Sequence, residues 1–141
     1  MPKIDSLSKQ LIVLLAATSA LGPAGMQILL PALPVIQADF SVSNDVAQLT
    51  LSLSMLSIAI GTLVYGPMSD KYGRKPIMLL GIFIAIIGSI FCYLADSIGW
   101  LIAGRIVQAF GGAVGLVLAR AIVRDVYDAE ESARVIATLV M

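Results

Sequence analysis

Three long stretches of the chain, residues 10–38, 46–69 and 76–95, contain no charged side chain and are dominated by apolar ones. About 30 Å of hydrocarbon takes roughly 20 residues of α-helix to cross. Each stretch is therefore long enough to span a bilayer. A fourth stretch, residues 100–123, is equally apolar but carries Arg105 and Arg120. Arg120 lies near its end, where a long side chain reaches the interface, whereas Arg105 lies deeper and needs a partner or a cavity. A fifth apolar stretch opens at Val135 and stops with the sequence at Met141. A backbone ending inside lipid leaves polar groups unsatisfied, so the expectation is the opening part of a longer protein.

The pattern predicts helices at residues 11–36, 46–68, 76–95 and 100–123 and the start of a fifth at 135, after a cytoplasmic segment at residues 1–10. The connections are short, which makes consecutive helices antiparallel neighbours. The expected fold class is an all-α, polytopic transmembrane helix bundle. Gly22, Pro23, Gly25, Pro31 and Pro34 interrupt the hydrogen-bond ladder of the first helix and predict a kink in its outer half. Asp128, with Glu131 three residues later, resembles a capping box ahead of the apolar run from Val135.

Composition agrees with this reading: 59% of residues are hydrophobic and 13% charged, with a mean hydropathy of +0.97. A soluble domain carries about twice that charged share. The formal net charge of +0 is uninformative, because placement matters more than the sum. Lys3, Lys9, Lys71, Arg74, Lys75, Arg120, Arg124 and Arg134 fall on one side of the expected bundle. The opposite connections, residues 37–45 and 96–99, hold no basic residue. The positive-inside rule makes the basic side cytoplasmic. A cleaved signal peptide is disfavoured because the first apolar stretch runs on to Ile36. Cys92 is the sole cysteine, forms no internal disulfide, and reads as a small apolar residue.

Several chemistries lack their residues. There is no His, no Walker-type phosphate loop and no acid inside any expected span, which argues against metal-dependent hydrolysis and direct ATP binding. No enzyme activity, metal, cofactor or nucleic-acid partner is expected. The positive signals begin with Gly66-Pro67-Met68-Ser69-Asp70-Lys71-Tyr72-Gly73-Arg74-Lys75-Pro76, read as a cytoplasmic loop. Its lysines orient the chain, while Asp70 closing helix 2 and Arg74 after the turn residue Gly73 allow the acid to meet a helix N-terminus or a basic partner. In helix 4, Arg105, Gln108, Gly112 and Gly115 share a helical face. Gly111 and Gly115 form a Gly-x-x-x-Gly pair suited to close helix packing. Thr50, Ser54, Ser57 and Gly61 form a similar stripe on helix 2, more often packing than cavity lining.

These residues resemble the major facilitator superfamily. Its signature between helices 2 and 3, Gly-x-x-x-Asp-x-x-Gly-Arg-Lys, is matched by Gly66, Asp70, Gly73, Arg74 and Lys75. Its helix-4 motif, Arg-x-x-Gln-Gly, is matched by Arg105 and Gln108, with Ala109 in place of the glycine. Leu30-Pro31-Ala32-Leu33-Pro34 and Ala119-Arg120-Ala121-Ile122-Val123-Arg124-Asp125 are similar to the drug-efflux branch that includes bicyclomycin and chloramphenicol resistance transporters. The resemblance implies the first four helices and the start of the fifth of a twelve-helix fold, completed by further C-terminal helices. It also implies export of small amphipathic or apolar compounds across a bacterial inner membrane, driven by the proton gradient. Arg105 would take part in proton coupling, and Gly66, Asp70, Gly73, Arg74 and Lys75 would form a conformational gate. Gln27 and Gln108 would face the substrate cavity, with Gly111, Gly112 and Gly115 packing helices. Many members of the branch carry Asp where this chain has Gln27. A glutamine releases no proton, and bonding to substrate or to a neighbouring helix both remain open for it.

Two other functions fit a short polytopic chain. A dimeric four-helix multidrug carrier depends on a membrane-embedded Glu in helix 1, which is absent here. A scaffold or assembly protein without transport activity has no need of Arg105 within the bilayer.

Overall fold

The computed structural model describes residues 6–126. Four helices follow one another: α1 (Ser6–Phe40), α2 (Asn44–Tyr72), α3 (Arg74–Tyr93) and α4 (Ile98–Val126). The fifth helix expected from residue 135, its capping pair Asp128 and Glu131, and residues 1–5 of the N-terminal segment lie outside the described residues.

The helices differ in extent from the apolar stretches. α1, α2 and α4 extend past the expected 11–36, 46–68 and 100–123 at both ends, and α3 begins and ends two residues before the expected 76–95. Hydropathy marks the part of a helix suited to lipid, whereas the hydrogen-bond ladder runs on into polar residues. The correction matters most at residues 66–76, read as a loop. All of them except Gly73 are helical. Gly73 closes α2 by donating its N–H to the Ser69 carbonyl at 3.0 Å, and its φ of +94° turns the chain directly into α3. A residue with a side chain pays a steric penalty there, and glycine does not. Pro76 lies in the first turn of α3, where no N–H is needed. α1 stays helical through Pro31 and Pro34 to Phe40.

Among the described residues, Asn44–Tyr72, Arg74–Tyr93 and Ile98–Ile122 are long and apolar enough to cross a membrane, and Gln27–Phe40 is a shorter apolar stretch of α1. The 35 residues of α1 extend roughly 50 Å at helical rise. Large apolar side chains point away from the bundle, among them Leu63 at 76% exposure and Phe83 at 63%. Such faces are stable against lipid, which solvates them as well as protein does.

α4 is the central helix: it packs on α1, α2 and α3, whereas α1 and α3 make no contact among the described residues. Small residues allow the approach. A Cβ at Gly111 would overlap the backbone of Gly81 and Ala85, one at Gly88 the backbone of Gln108, and one at Gly104 the backbone of Cys92. Gly115 instead abuts the Thr18 carbonyl of α1. The Gly111–Gly115 pair thus serves two neighbours, α3 and α1, and does not form one common packing face. The helix-2 stripe packs against α4 as well. The Ser57 hydroxyl donates to the Ile106 carbonyl at 2.7 Å, and a Cβ at Gly61 would press on Ala113. Tyr65, Ile77, Ala113, Val114 and Leu118 form an apolar core at the Gly73 end of the bundle, leaving the polar side chains of α4 further from that turn.

Candidate functional site

Arg105 sits on α4 facing α1. Its guanidinium donates to the Gln108 side-chain carbonyl at 2.9 Å and reaches the Gly25 carbonyl of α1 at 3.5 Å. The Arg105 Nε is buried with no hydrogen-bond partner among the described residues. The Gln108 amide nitrogen donates to the Ser89 hydroxyl of α3 at 2.8 Å. That hydroxyl donates in turn to the Ala85 carbonyl at 2.8 Å. The chain of bonds ties three helices together around one half-buried cation. A polar group inside the bilayer is stable only when so partnered.

The same residues border a cavity of about 110 Å³, whose lining includes Gly25, Leu29, Ser54, Ser89, Arg105 and Gln108. Gly112 also lines it, while Gly111 and Gly115 are spent on helix contacts. Gln27 is exposed and does not line this cavity. Of the expected helix-4 face, Arg105, Gln108 and Gly112 come together at this cavity, while Gly115 turns to α1 and Gln27, expected with Gln108 at the substrate cavity, does not line it. A volume of this size holds a few waters at about 30 Å³ each, and the unpaired Nε offers them a donor.

A second polar cluster lies at the Gly73 end. Arg74 pairs with Asp70 at 2.6 Å, one helical turn back across the bend, and its Nε donates to Asp125 of α4 at 3.0 Å. It also donates to the Ser69 hydroxyl at 2.5 Å, which donates to the Gly66 carbonyl. One guanidinium thus joins the end of α2, the start of α3 and the end of α4. Fixed donors on a planar group suit such several-sided pairing better than an ammonium would. An open recess of about 770 Å³ beside it is lined by Gly66, Asp70, Arg74, Arg120 and Asp125, among others. The lysines take no part in this pairing. Lys71 lies over the Tyr72 ring at 5.2 Å, and Lys75 is exposed. The five residues expected to form a gate therefore separate into an ion-paired core of Asp70 and Arg74, two glycines, and a peripheral lysine.

Sequence reasoning missed two partners. Asp125 stands in the stretch closing α4 but carries no sign of contact with a residue 51 positions away. Ser89 is a single serine in an apolar helix, and no spacing marks it out.

A family model described as Major Facilitator Superfamily matches residues 15–141. An uncharacterized MFS-type transporter, YdgK, of Bacillus subtilis is 39% identical over 131 residues, covering 93% of this chain and 33% of its own length. A bicyclomycin resistance protein homolog of Haemophilus influenzae is 35% identical over 92% of the chain and 33% of its own length. Multidrug resistance protein MdtL of Shigella flexneri is 37% identical over 83% of the chain and 30% of its own length. The chain spans about a third of the length of these curated relatives. No solved structure matches it.

Proposed function

The chain belongs to the Major Facilitator Superfamily, and from that premise we propose that it forms the first part of a proton-driven exporter of small amphipathic or apolar compounds. The complete transporter has twelve helices, lies in a bacterial inner membrane with its N-terminus in the cytoplasm, and works by alternating access. Further C-terminal helices complete the binding site. No cofactor takes part, and the proton gradient supplies the energy.

The observation that carries this reading is Arg105: a cation within a membrane-length helix, beside a cavity, with one donor left unpaired. A scaffold gains nothing from the desolvation such a group costs, whereas a transporter uses it to sense protonation nearby. In this scheme Gln108 orients Arg105, and exposed Gln27 is free to bond a substrate or a neighbouring helix. Asp70, Arg74 and Asp125 hold the cytoplasmic ends of α2, α3 and α4 together in one state and separate in the other. The names of the bicyclomycin and multidrug resistance relatives support antibiotics as the substrate class.

The test is expression of the full-length protein in a drug-sensitive bacterium, with bicyclomycin accumulation measured in the presence and absence of an uncoupler. Lowered accumulation that the uncoupler restores is the expected result. Lowered accumulation that ignores the uncoupler overturns proton coupling, and unchanged accumulation overturns export of this compound.

A further inference from the structure

We infer that Ser89 is a positioning residue for Arg105, acting through Gln108 by fixing which end of its amide faces the guanidinium. The inference rests on the proton-coupling role proposed for Arg105 and adds a residue on a different helix that this role depends on.

The two ends of a carboxamide have nearly the same shape, so hydrogen-bond partners alone decide its orientation. Ser89 has one hydroxyl proton, and it is committed to the Ala85 carbonyl at 2.8 Å. Toward Gln108 the serine oxygen can therefore only accept. It receives the Gln108 Nε2 at 2.8 Å, which turns the Gln108 Oε1 toward Arg105 at 2.9 Å. The reversed amide would set N–H against N–H at Arg105, and at Ser89 it would pull the hydroxyl proton off the Ala85 carbonyl. The mismatch at Arg105 would fall in the half-buried part of the site, where unpaired polar groups are costly, whereas Ser89 is exposed.

The backbone holds the serine in place. Gly88 lies so close to α4 that a Cβ there would overlap the backbone of Gln108. The next residue of α3 is thus delivered within reach of the Gln108 side chain. Arg105 has few other anchors: the Gly25 carbonyl is at 3.5 Å and the Nε has no partner among the described residues. Loss of the Ser89 hydroxyl removes the acceptor that orients the amide, and with it the oxygen that holds the guanidinium.

The experiment uses the full-length protein in everted membrane vesicles, with ethidium as the transported probe and its efflux rate followed from acid to alkaline pH. Ser89→Ala is expected to slow efflux about tenfold, the size of effect of a lost hydrogen bond to a charged group. It should also move the midpoint of the pH profile by about half a unit. Ser89→Thr, which keeps the hydroxyl, should restore both, and Ser89→Ala should add nothing to Gln108→Ala, because the two act as one unit. An unchanged midpoint in Ser89→Ala, or rate losses that multiply in the double variant, overturns the inference. Absence of ethidium efflux from the unaltered protein, or full efflux by Arg105→Ala, counts instead against the transport reading. The amide link is then read from melting temperatures, where shifts for Ser89→Ala and Gln108→Ala that do not add support it and additive shifts overturn it.

Discussion

Arg105 donates to the side-chain carbonyl of Gln108, three residues further along α4, at 2.9 Å. At that spacing the two share a face of the helix, and the glutamine supplies a neutral acceptor with no competing negative charge. The cation therefore keeps its full field at the cavity it borders, and a transient carboxylate or a protonated group nearby would feel it.

Removing that field should remove coupling. Arg105→Ala is expected to reach the membrane in normal amount and lose export by about tenfold or more, consistent with loss of a functional intramembrane charge. Arg105→Lys should recover only part of it, since an ammonium lacks the planar fork that holds Gln108 while leaving Nε free. Efflux rates normalised to membrane-inserted protein decide both, and full export by Arg105→Ala would take this residue out of the mechanism.

At the other polar cluster, transport should change more than stability. The side chains of Asp70 and Asp125 are 66% and 54% exposed, so solvent screens their attraction to Arg74. Asp125→Asn should then shift stability by no more than about 1 kcal/mol, while slowing efflux several-fold if the pair closes one conformation. Thermal unfolding in detergent beside vesicle efflux separates the two effects. A large loss of stability would make the pair a structural clamp.

Two glycines should respond unequally to the same methyl group. A Cβ at Gly111 meets the backbone of α3, which has no flexible end to move aside, whereas Gly66 has no neighbour within 4 Å. Gly111→Ala should cost about 1–3 kcal/mol through overpacking, and Gly66→Ala should leave the melting temperature of the protein nearly unchanged. If Gly66→Ala nonetheless stops transport, its glycine serves contact with a part of the protein outside residues 6–126. Equal melting temperatures for both variants would contradict the packing of α3 on α4.

Orientation is testable at the turn between α2 and α3. Ser69 is only 1% exposed and would report accessibility poorly, while Lys71 is open to solvent. Lys71→Cys, in a protein whose Cys92 is replaced by Ala, should react with an impermeant maleimide in everted vesicles and resist it in intact cells. The reverse pattern would invert the topology.

The apolar stretches made the membrane helices legible because lipid demands long charge-free runs and few other environments do. Gln108 and Arg105 were legible as a pair for the same reason: any polar residue in such a run stands out. The extents of the helices were not, since the ladder at Asp70, Lys71 and Tyr72 continues through residues whose polarity resembles a loop. Asp125 and Ser89 were hidden for a different cause. Each gains meaning only from a residue on another helix, and serine or aspartate near a helix end has many ordinary reasons to be there. Gly111 and Gly115 show the converse: their spacing suggests one packing face, but the crossing of α1 and α3 on either side of α4 assigns them separate partners.

The single residue between α2 and α3 leaves no slack in the chain. Inserting one residue beside Gly73, if absorbed by α3, would turn that helix by about 100° around its axis. Gly81 and Gly88 would swing off α4, and Leu80 and Ile87 would be carried into the places they vacate. The length of this connection is therefore as strict a requirement as its sequence, because it decides which face of α3 meets α4.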